Sequence, residues 1–542
     1  MFEDGPVPQS EPLNSSQVCN DAGGYVWTVG DLDRLHRFLC LGSETGTYYC
    51  TKEELGLQNV DCIQKLIEDG RGEEVVKDIV EYSVEGWTAK QEPLLIALVQ
   101  CARCEREKVK KLAYDALPKV CRIPTTLFQF VEFVEKLQGG FGTGWGRAQK
   151  RAVGRWYNEK SPRQLAYQIT KYKNRNGWTH RDILRLGHVK PEQEATALIL
   201  KYIAKGWKKV TEDRKEDEEH SEDYNDVMTY LQDAETARVS KDKDLVISLI
   251  DKHQFAWEHI STEFLKSVEV WRSLLQHMPM TAMIRQLGKL TSIELLKPGS
   301  EETKMVCDRL RDENRLNKAR IHPISILSAL YQYKKGKGMK GKLKWSPVEA
   351  VCQALDDAFY KAFKFVEPTG KRFMLSLDVS GSMSCSGVNG IENIMAREAS
   401  AAMAMVTMRT ETDHHINAFS DHLMDAGINP NMKLDEVIKT ISNIGMGGTD
   451  CARPMLHAKE KKIPIDVFII YTDNDTWFGD VHPSEALKNY RKAMNIDAKL
   501  IVVGMSANSF SIADPADKGM LDIAGFNSNC PNLIRNFALD LV

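Results

Sequence analysis

No stretch of this 542-residue chain approaches the roughly 18 consecutive apolar residues of a membrane-spanning helix, so a helical membrane protein is excluded. The first residues, MFEDGPVPQSEPLNSSQ, are acidic and polar and do not read as a secretory leader. Cysteine is sparse: twelve residues, scattered from Cys19 to Cys530, lack the density of a disulfide scaffold. Reduced thiols in a cytosolic or nuclear compartment are therefore expected, and the localisation expected is cytoplasmic with a nuclear fraction. Neither sign of charge dominates, since 72 Lys+Arg face 75 Asp+Glu. Strong β-hairpin signals are missing between about residues 30 and 365. With 42 % hydrophobic and 27 % charged residues the chain is neither collagen-like nor disordered, and its length calls for two or more domains.

The near-neutral total conceals bunching. Residues 101–210 hold 24 Lys+Arg against 9 Asp+Glu, and 284–344 hold 15 against 6, whereas 371–542 hold 16 against 21. Clusters of that size are the footprint of a polyanion partner, or else the decoration of solvated helix faces. Residues 1–16 read as a flexible tail and 17–370 as an all-α region of amphipathic segments, among them Asp31–Leu41, Gln91–Arg103 and Pro323–Lys334. Helix pairs of this length suggest a solenoid stacked side by side around a concave surface. The acidic run Glu212–Glu222 reads as an exposed loop.

Near residue 370 the pattern changes. Lys371–Val379, Asp413–Phe419, Ile465–Tyr471 and Ala498–Met505 read as buried strands, alternating with helical segments such as Asn393–Arg409 and Ser484–Asn495. Apolar strands of this length alternating with helices predict a doubly wound α/β domain over 371–542. Ligands of such sheets bind beyond the carboxyl ends of the strands.

Three polar loops lie at that edge: Asp378-Val379-Ser380-Gly381-Ser382, Gly447-Gly448-Thr449-Asp450 and Thr472-Asp473-Asn474-Asp475. Each alone could be a helix cap or a turn. Together they offer hydroxyl and carboxylate oxygens of the kind a hard divalent cation such as Mg²⁺ takes, with waters retained. DVSGS, GGTD and TDND in this order resemble the metal-ion-dependent adhesion site of von Willebrand factor A domains. That resemblance implies that Ser380, Ser382 and Thr449 bind the cation directly and that Asp378 and Asp473 act mainly through water. It also implies one coordination position left for an acidic protein partner. A Mg²⁺-dependent nuclease or phosphatase would need carboxylates clustered for two metals, and only Asp378 and Asp473, with Asp450 or Asp475, are at hand.

Two segments carry the polyanion reading. Arg147, Arg151 and Arg155 recur at four-residue steps on one helix face, with Lys150 beside them. Lys171, Lys173 and Arg175 then precede Gly177-Trp178-Thr179-His180-Arg181-Asp182, Arg185 and His188; Arg285 lies further along. Cations interleaved with aromatic residues suit phosphates and stacked bases of single strands, although Trp145, Trp156 and Trp178 are more often core packing. Thr179 with Asp182 reads as a capped helix start. GTGWG follows no strand, so a dinucleotide loop is rejected, and Cys101-x-x-Cys104 lacks the second pair of a zinc site. The basic loop Lys334–Lys342 is a solvated connection or a phosphate-tracking arm.

With FGTGWGRAQKRAVGRWY, KYKNRNGWTHRDILRLGH and RIHPISILSALYQY the chain, from about residue 17 onward, resembles the TROVE-domain Ro ribonucleoprotein family. The resemblance implies a ring of HEAT-like helical repeats closed by the A domain. It further implies binding of Y RNAs on the basic outer surface and of single-stranded 3′ ends of misfolded small non-coding RNAs in the central hole. RNA quality control and stress survival without catalysis, by a monomeric protein within a ribonucleoprotein, follow from the same resemblance. The competing reading is a metal-dependent adaptor acting through the A domain.

Overall fold

The computed structural model describes residues 6–43, 52–88, 90–137, 145–213, 219–338, 342–363, 366–385, 387–388 and 391–541. The beginning of the expected tail, the start of the GTGWG segment and parts of the acidic run and the Lys334–Lys342 loop lie outside them.

Residues 31–361 form a succession of amphipathic helices that pack on near neighbours in sequence. Gly72–Glu85 lies against Glu107–Val120, Glu92–Arg103 against Pro124–Leu137, and Pro162–Lys171 against Glu222–Val239. Local chemistry sets their ends. Ser161 accepts a hydrogen bond from the Gln164 N–H with Pro162 in the first turn, and Ser221, Asp242, Ser267 and Ser300 cap later helices in the same way. Buried leucine, isoleucine and valine stripes then join neighbouring pairs into one core that runs on into the C-terminal domain.

Two expectations are corrected here. A hairpin does occur in the helical region: β3 (Asn174–Arg175) pairs antiparallel with β4 (Trp178–Thr179). Its turn is Asn176-Gly177, both at positive φ (53° and 80°), the combination that closes a two-residue hairpin. Nor are residues 6–16 a loose tail. They pack on the C-terminal domain, with Gln9 fully buried. The following strands β1 (Gln17–Cys19) and β2 (Tyr25–Thr28) extend that attachment.

The C-terminal domain contains β5 (Phe373–Asp378), β6 (Gly387–Val388), β7 (Ile391–Met395), β8 (His414–Phe419), β9 (Leu423–Asp425), β10 (Val467–Thr472), β11 (Lys499–Gly504), β12 (Phe510–Ser511) and β13 (Met520–Ala524). Six strands form the sheet in the order β13-β11-β10-β5-β8-β9, parallel except for the edge strand β9. Every residue of β5 and β10 is buried, as expected of strands covered on both faces. Helices Ala396–Thr410 and Leu434–Ser442 pack together, as do Arg453–Glu460 and Pro483–Met494.

Both ends of the helical array are fixed to this domain, so the chain closes into a ring. At one seam β2 pairs with β12, and Arg37 of helix Asp31–Leu41 donates to Asp522 of β13. At the other, the Leu434 N–H donates to Asp356 (2.7 Å), and Lys334–Asp435 and Lys433–Glu349 pair across the boundary. Among the described residues no helix is long and apolar enough to cross a membrane.

Candidate nucleic-acid interface and cation site

The expected cations fall on contiguous elements of the ring. Helix Arg147–Asn158 packs on helix His180–Gly187, and the hairpin sits on Pro124–Leu137. Arg147, Arg151, Lys173, Arg175, Arg181, Arg185 and His188 are exposed, while Lys150 is half-buried. Arg155 is held back, donating to Asp115 (2.7 Å) and to the Tyr114 carbonyl (3.1 Å). Lys171 is half-buried with its ammonium 4.9 Å from the Tyr172 ring centre and 5.8 Å from that of Trp257. Thr179 caps the helix and Asp182 returns the bond, closing a capping box.

His180 departs from the expectation. It is buried, its Nε2 is 3.0 Å from the Tyr172 carbonyl, and its Nδ1 is 2.7 Å from the Tyr157 hydroxyl. Burial pulls its pKa down to about 3, so it is a neutral core residue rather than a phosphate ligand. Trp145 and Trp156 are also core, donating to Glu135 and to the Cys121 carbonyl, whereas Trp178 is half-buried.

Arg285 lies apart from this group, on a cavity of about 860 Å³ between the early helices (around Ser83–Gln91 and Val120–Thr126) and the late ones (around Thr281–Lys289 and Ala319–Tyr333). Arg122, Lys289 and Arg320 share its lining. Arg122 donates to the Ser83 hydroxyl (2.9 Å), and burial together with the neighbouring Arg320 guanidinium lowers its pKa. Two guanidinium groups that repel one another across a concave wall make a receptor for anions. Sequence patterning did not bring Arg122 and Arg320 together, because the interhelical turns that carry them are about 200 residues apart.

At the carboxyl edge of the sheet the three polar loops meet. Asp378 ends β5; its Oδ1 accepts from the Ser380 N–H (2.9 Å) and its Oδ2 from the Thr472 hydroxyl (2.6 Å). Ser380 Oγ and Ser382 Oγ lie 3.2 Å apart. Asp473 follows β10 and accepts the Asp475 N–H (3.2 Å). The Thr449 carbonyl accepts the N–H groups of Trp477 and Phe478 (3.1 and 3.0 Å), which ties the second loop to the third. Burial, then the Asp473 charge, pushes the Asp378 carboxyl up to about 7; burial also raises Asp473 and Asp475. Asp473 Oδ2 and both Asp475 oxygens are buried without hydrogen-bond partners. Asp450 is otherwise engaged, with Gln9 Nε2 (2.6 Å) and Arg453 (2.9 Å), and does not join them.

Among the described residues no group of three or more His, Cys, Asp or Glu side chains is placed to hold a metal, so a cation here depends on the hydroxyls. Orphaned carboxylate oxygens beside paired serine hydroxyls fit a hard cation such as Mg²⁺. The N-terminal arm, unforeseen in the sequence, buttresses the same loops: Asn20 Nδ2 donates to the Asn474 and Thr476 carbonyls (3.3 and 2.7 Å), and the Gln9 side chain accepts from the Thr476 hydroxyl.

A closed helical ring joined to an A-type α/β domain defines the class of protein. The TROVE domain family matches residues 18–332 and the Ro60 vWA domain family residues 372–538. The chain is 37 % identical to the RNA-binding protein RO60 of Caenorhabditis elegans, over 98 % of this chain and 91 % of that one. It is 36 % identical to the RNA-binding protein RO60 of Deinococcus radiodurans, over 98 % and 97 %. The crystal structure of the Deinococcus radiodurans RO (RSR) protein superposes with a TM-score of 0.68 at 34 % identity, covering 95 % of this chain and all of that one. The chain belongs to the TROVE-domain RO60 family.

Proposed function

We propose that this chain is a non-catalytic RNA-binding scaffold. The observation that carries the reading is the cationic cavity of the closed ring, where burial and the neighbouring Arg320 guanidinium lower the pKa of Arg122 and an anion would offset the repulsion between them. A single strand entering there offers phosphates to Arg122, Arg285, Lys289 and Arg320, while a well-folded RNA with no free end is too bulky. The relatives' names support RNA as the ligand. Structured small non-coding RNAs of the Y RNA class would be held on the outer surface by Arg147, Arg151, Lys173, Arg175, Arg181, Arg185 and His188, and 3′ ends of misfolded small RNAs in the cavity. Selection by shape and an accessible end, rather than by sequence, suits RNA quality control and stress survival in the cytoplasm with a nuclear fraction. At the A domain, Ser380, Ser382 and Thr449 would hold Mg²⁺ directly, with Asp378 and Asp473 acting through water; an acidic protein partner would complete the coordination. The bound ion supplies Lewis acidity for capturing a carboxylate.

Charge reversal separates the surfaces. Lys171 is packed on aromatic rings, so Lys173→Glu with Arg175→Glu is the cleaner outer-surface variant. It should weaken binding of a structured small RNA about tenfold or more and flatten the salt dependence by about one unit per lost phosphate contact. Arg122→Glu with Arg320→Glu should instead weaken only RNAs bearing a single-stranded 3′ tail. Ser380→Ala with Ser382→Ala should remove the calorimetric signal of Mg²⁺ and leave RNA affinity intact. Affinities unchanged in both charge-reversed variants, by fluorescence anisotropy at moderate salt, would refute the assignment.

A further inference from the structure

We infer that Met446, Trp477 and Phe478 form an apolar rim around the A-domain cation site, which selects a protein partner whose carboxylate stands beside an aromatic or branched aliphatic side chain. The inference rests on the Mg²⁺ reading above and adds to it the identity of the ligand. Trp477 and Phe478 are each 41 % exposed and Met446 is 65 % exposed. Among the described residues these two are the only tryptophan and phenylalanine side chains left exposed. They sit on the loops that carry Thr449 and Asp473, with a large part of each side chain facing solvent.

The rim is rigid. Backbone N–H groups of Trp477 and Phe478 both donate to the Thr449 carbonyl, so the rings move with a candidate cation ligand. The rings meet edge to face, 5.5 Å apart at 86°. A Cβ at Gly448 would lie 3.2 Å from Phe478 Cβ and 3.3 Å from the Trp477 ring, so glycine there lets the aromatic pair seat against the Thr449 loop. Preorganised aromatic surface that the core does not use is what an interface anchor requires.

Charge decides between protein and nucleic acid. Asp421 and Asp480 lie on the loops around the rim, and Arg453 is already paired with Asp450. The domain as a whole carries 21 acidic against 16 basic residues over 371–542. A row of phosphates is repelled there, whereas one carboxylate is accepted once a divalent cation sits over Asp378 and Asp473. Its neighbouring apolar side chain then covers Trp477 and Phe478.

The test uses the full-length protein labelled with 5-fluorotryptophan, the Trp477 resonance being assigned from Trp477→Phe. The probes are N-acetyl-Asp-Phe-amide, N-acetyl-Asp-Gly-amide and an oligouridylate, each with Mg²⁺ and with chelator, while calorimetry measures Mg²⁺ binding separately. The Phe peptide should shift the Trp477 resonance only with Mg²⁺ and bind about tenfold more tightly than the Gly peptide. Met446→Ser with Phe478→Ser should erase that difference without changing Mg²⁺ affinity. Equal affinities of the two peptides in a protein that binds Mg²⁺ would overturn the rim alone, as would a response to oligouridylate and not to peptide. Absence of Mg²⁺ binding would remove the cation reading and the rim with it.

Discussion

The core around His180 requires a neutral imidazole. Its pull on the Tyr172 carbonyl comes from an Nε2–H, which leaves Nδ1 to accept from the Tyr157 hydroxyl. Protonating Nδ1 would take away the acceptor of the Tyr157 hydroxyl and bury an uncompensated positive charge. The folded pKa, about 3, lies below the unfolded value near 6.5, so the unfolded chain takes up the proton first as pH falls. The contribution of His180 is therefore intact above pH 6.5 and declines below it, by about 2 kcal/mol at pH 5. His259, also lowered to about 3, and His322, lowered to about 4, act in the same direction. His180→Gln should be destabilised relative to the parent at pH 7.5, and the gap in thermal midpoint followed by circular dichroism should narrow at pH 5. A gap that widens on acidification would refute the assignment. Thr179 and Asp182 were legible in sequence because a capping box is local, within four residues. The direction of the His180 ring was not, because it depends on Tyr157 and Tyr172 contributed by a preceding helix and loop.

Among the elements, the N-terminal arm shows where legibility stops. The strand ends of the A domain and their Ser, Thr and Asp residues could be read from apolar runs punctuated by polar loops. The partners of those loops could not, since Gln9 reaches Asp450 across 441 residues and Asn20 reaches Thr476 across 456. A polar, proline-containing stretch looks unstructured until another domain supplies acceptors for its amides. The hairpin Asn174–Thr179 escaped notice for the opposite reason: its Asn-Gly turn signal was present, but two-residue strands leave no alternation to detect. The arm's fit is tight at Gly24, where an added Cβ would lie 1.9 Å from the Thr476 carbonyl oxygen. Gly24→Ala should force the arm or the Asp473 loop to move, at a cost of about 1–3 kcal/mol. Hydrogen exchange should then speed up together at Val26, Trp27 and residues 474–477. Gly146→Ala, with open space around its Cβ, is the control expected to change neither. Unaltered exchange at both segments in Gly24→Ala would show that the arm does not buttress the loop.

For the whole molecule, the proposed entry of a single strand into the cavity makes ring closure the step expected to set how long that strand stays. The first seam is concentrated on Arg37, only 1 % exposed, whose guanidinium donates to Asp522 (Nε, 3.1 Å), to Asn508 Oδ1 (2.8 Å) and to the Phe510 carbonyl (2.9 Å). The second seam has one buried hydrogen bond, from the Leu434 N–H to Asp356, and otherwise exposed or half-buried ion pairs such as Lys433–Glu349, each worth about 1 kcal/mol or less. Removing one partner of a buried ion pair strands the other, at a cost of about 3–5 kcal/mol. Arg37→Met should therefore loosen the first seam while the second keeps the A domain attached. The radius of gyration from small-angle X-ray scattering should rise, and urea should release the A-domain contacts at lower concentration. Adding Asp522→Leu should restore part of the loss, because no carboxylate then remains unpaired. An RNA whose 3′ tail occupies the cavity must leave by unthreading while the ring is closed but can leave sideways once it opens. Its dissociation should accelerate in Arg37→Met, whereas an RNA held only by Arg175 and its neighbours should dissociate at the parental rate. Equal acceleration of both would mean that the seam supports the basic surface itself, and unchanged scattering would mean that the second seam alone suffices to hold the ring.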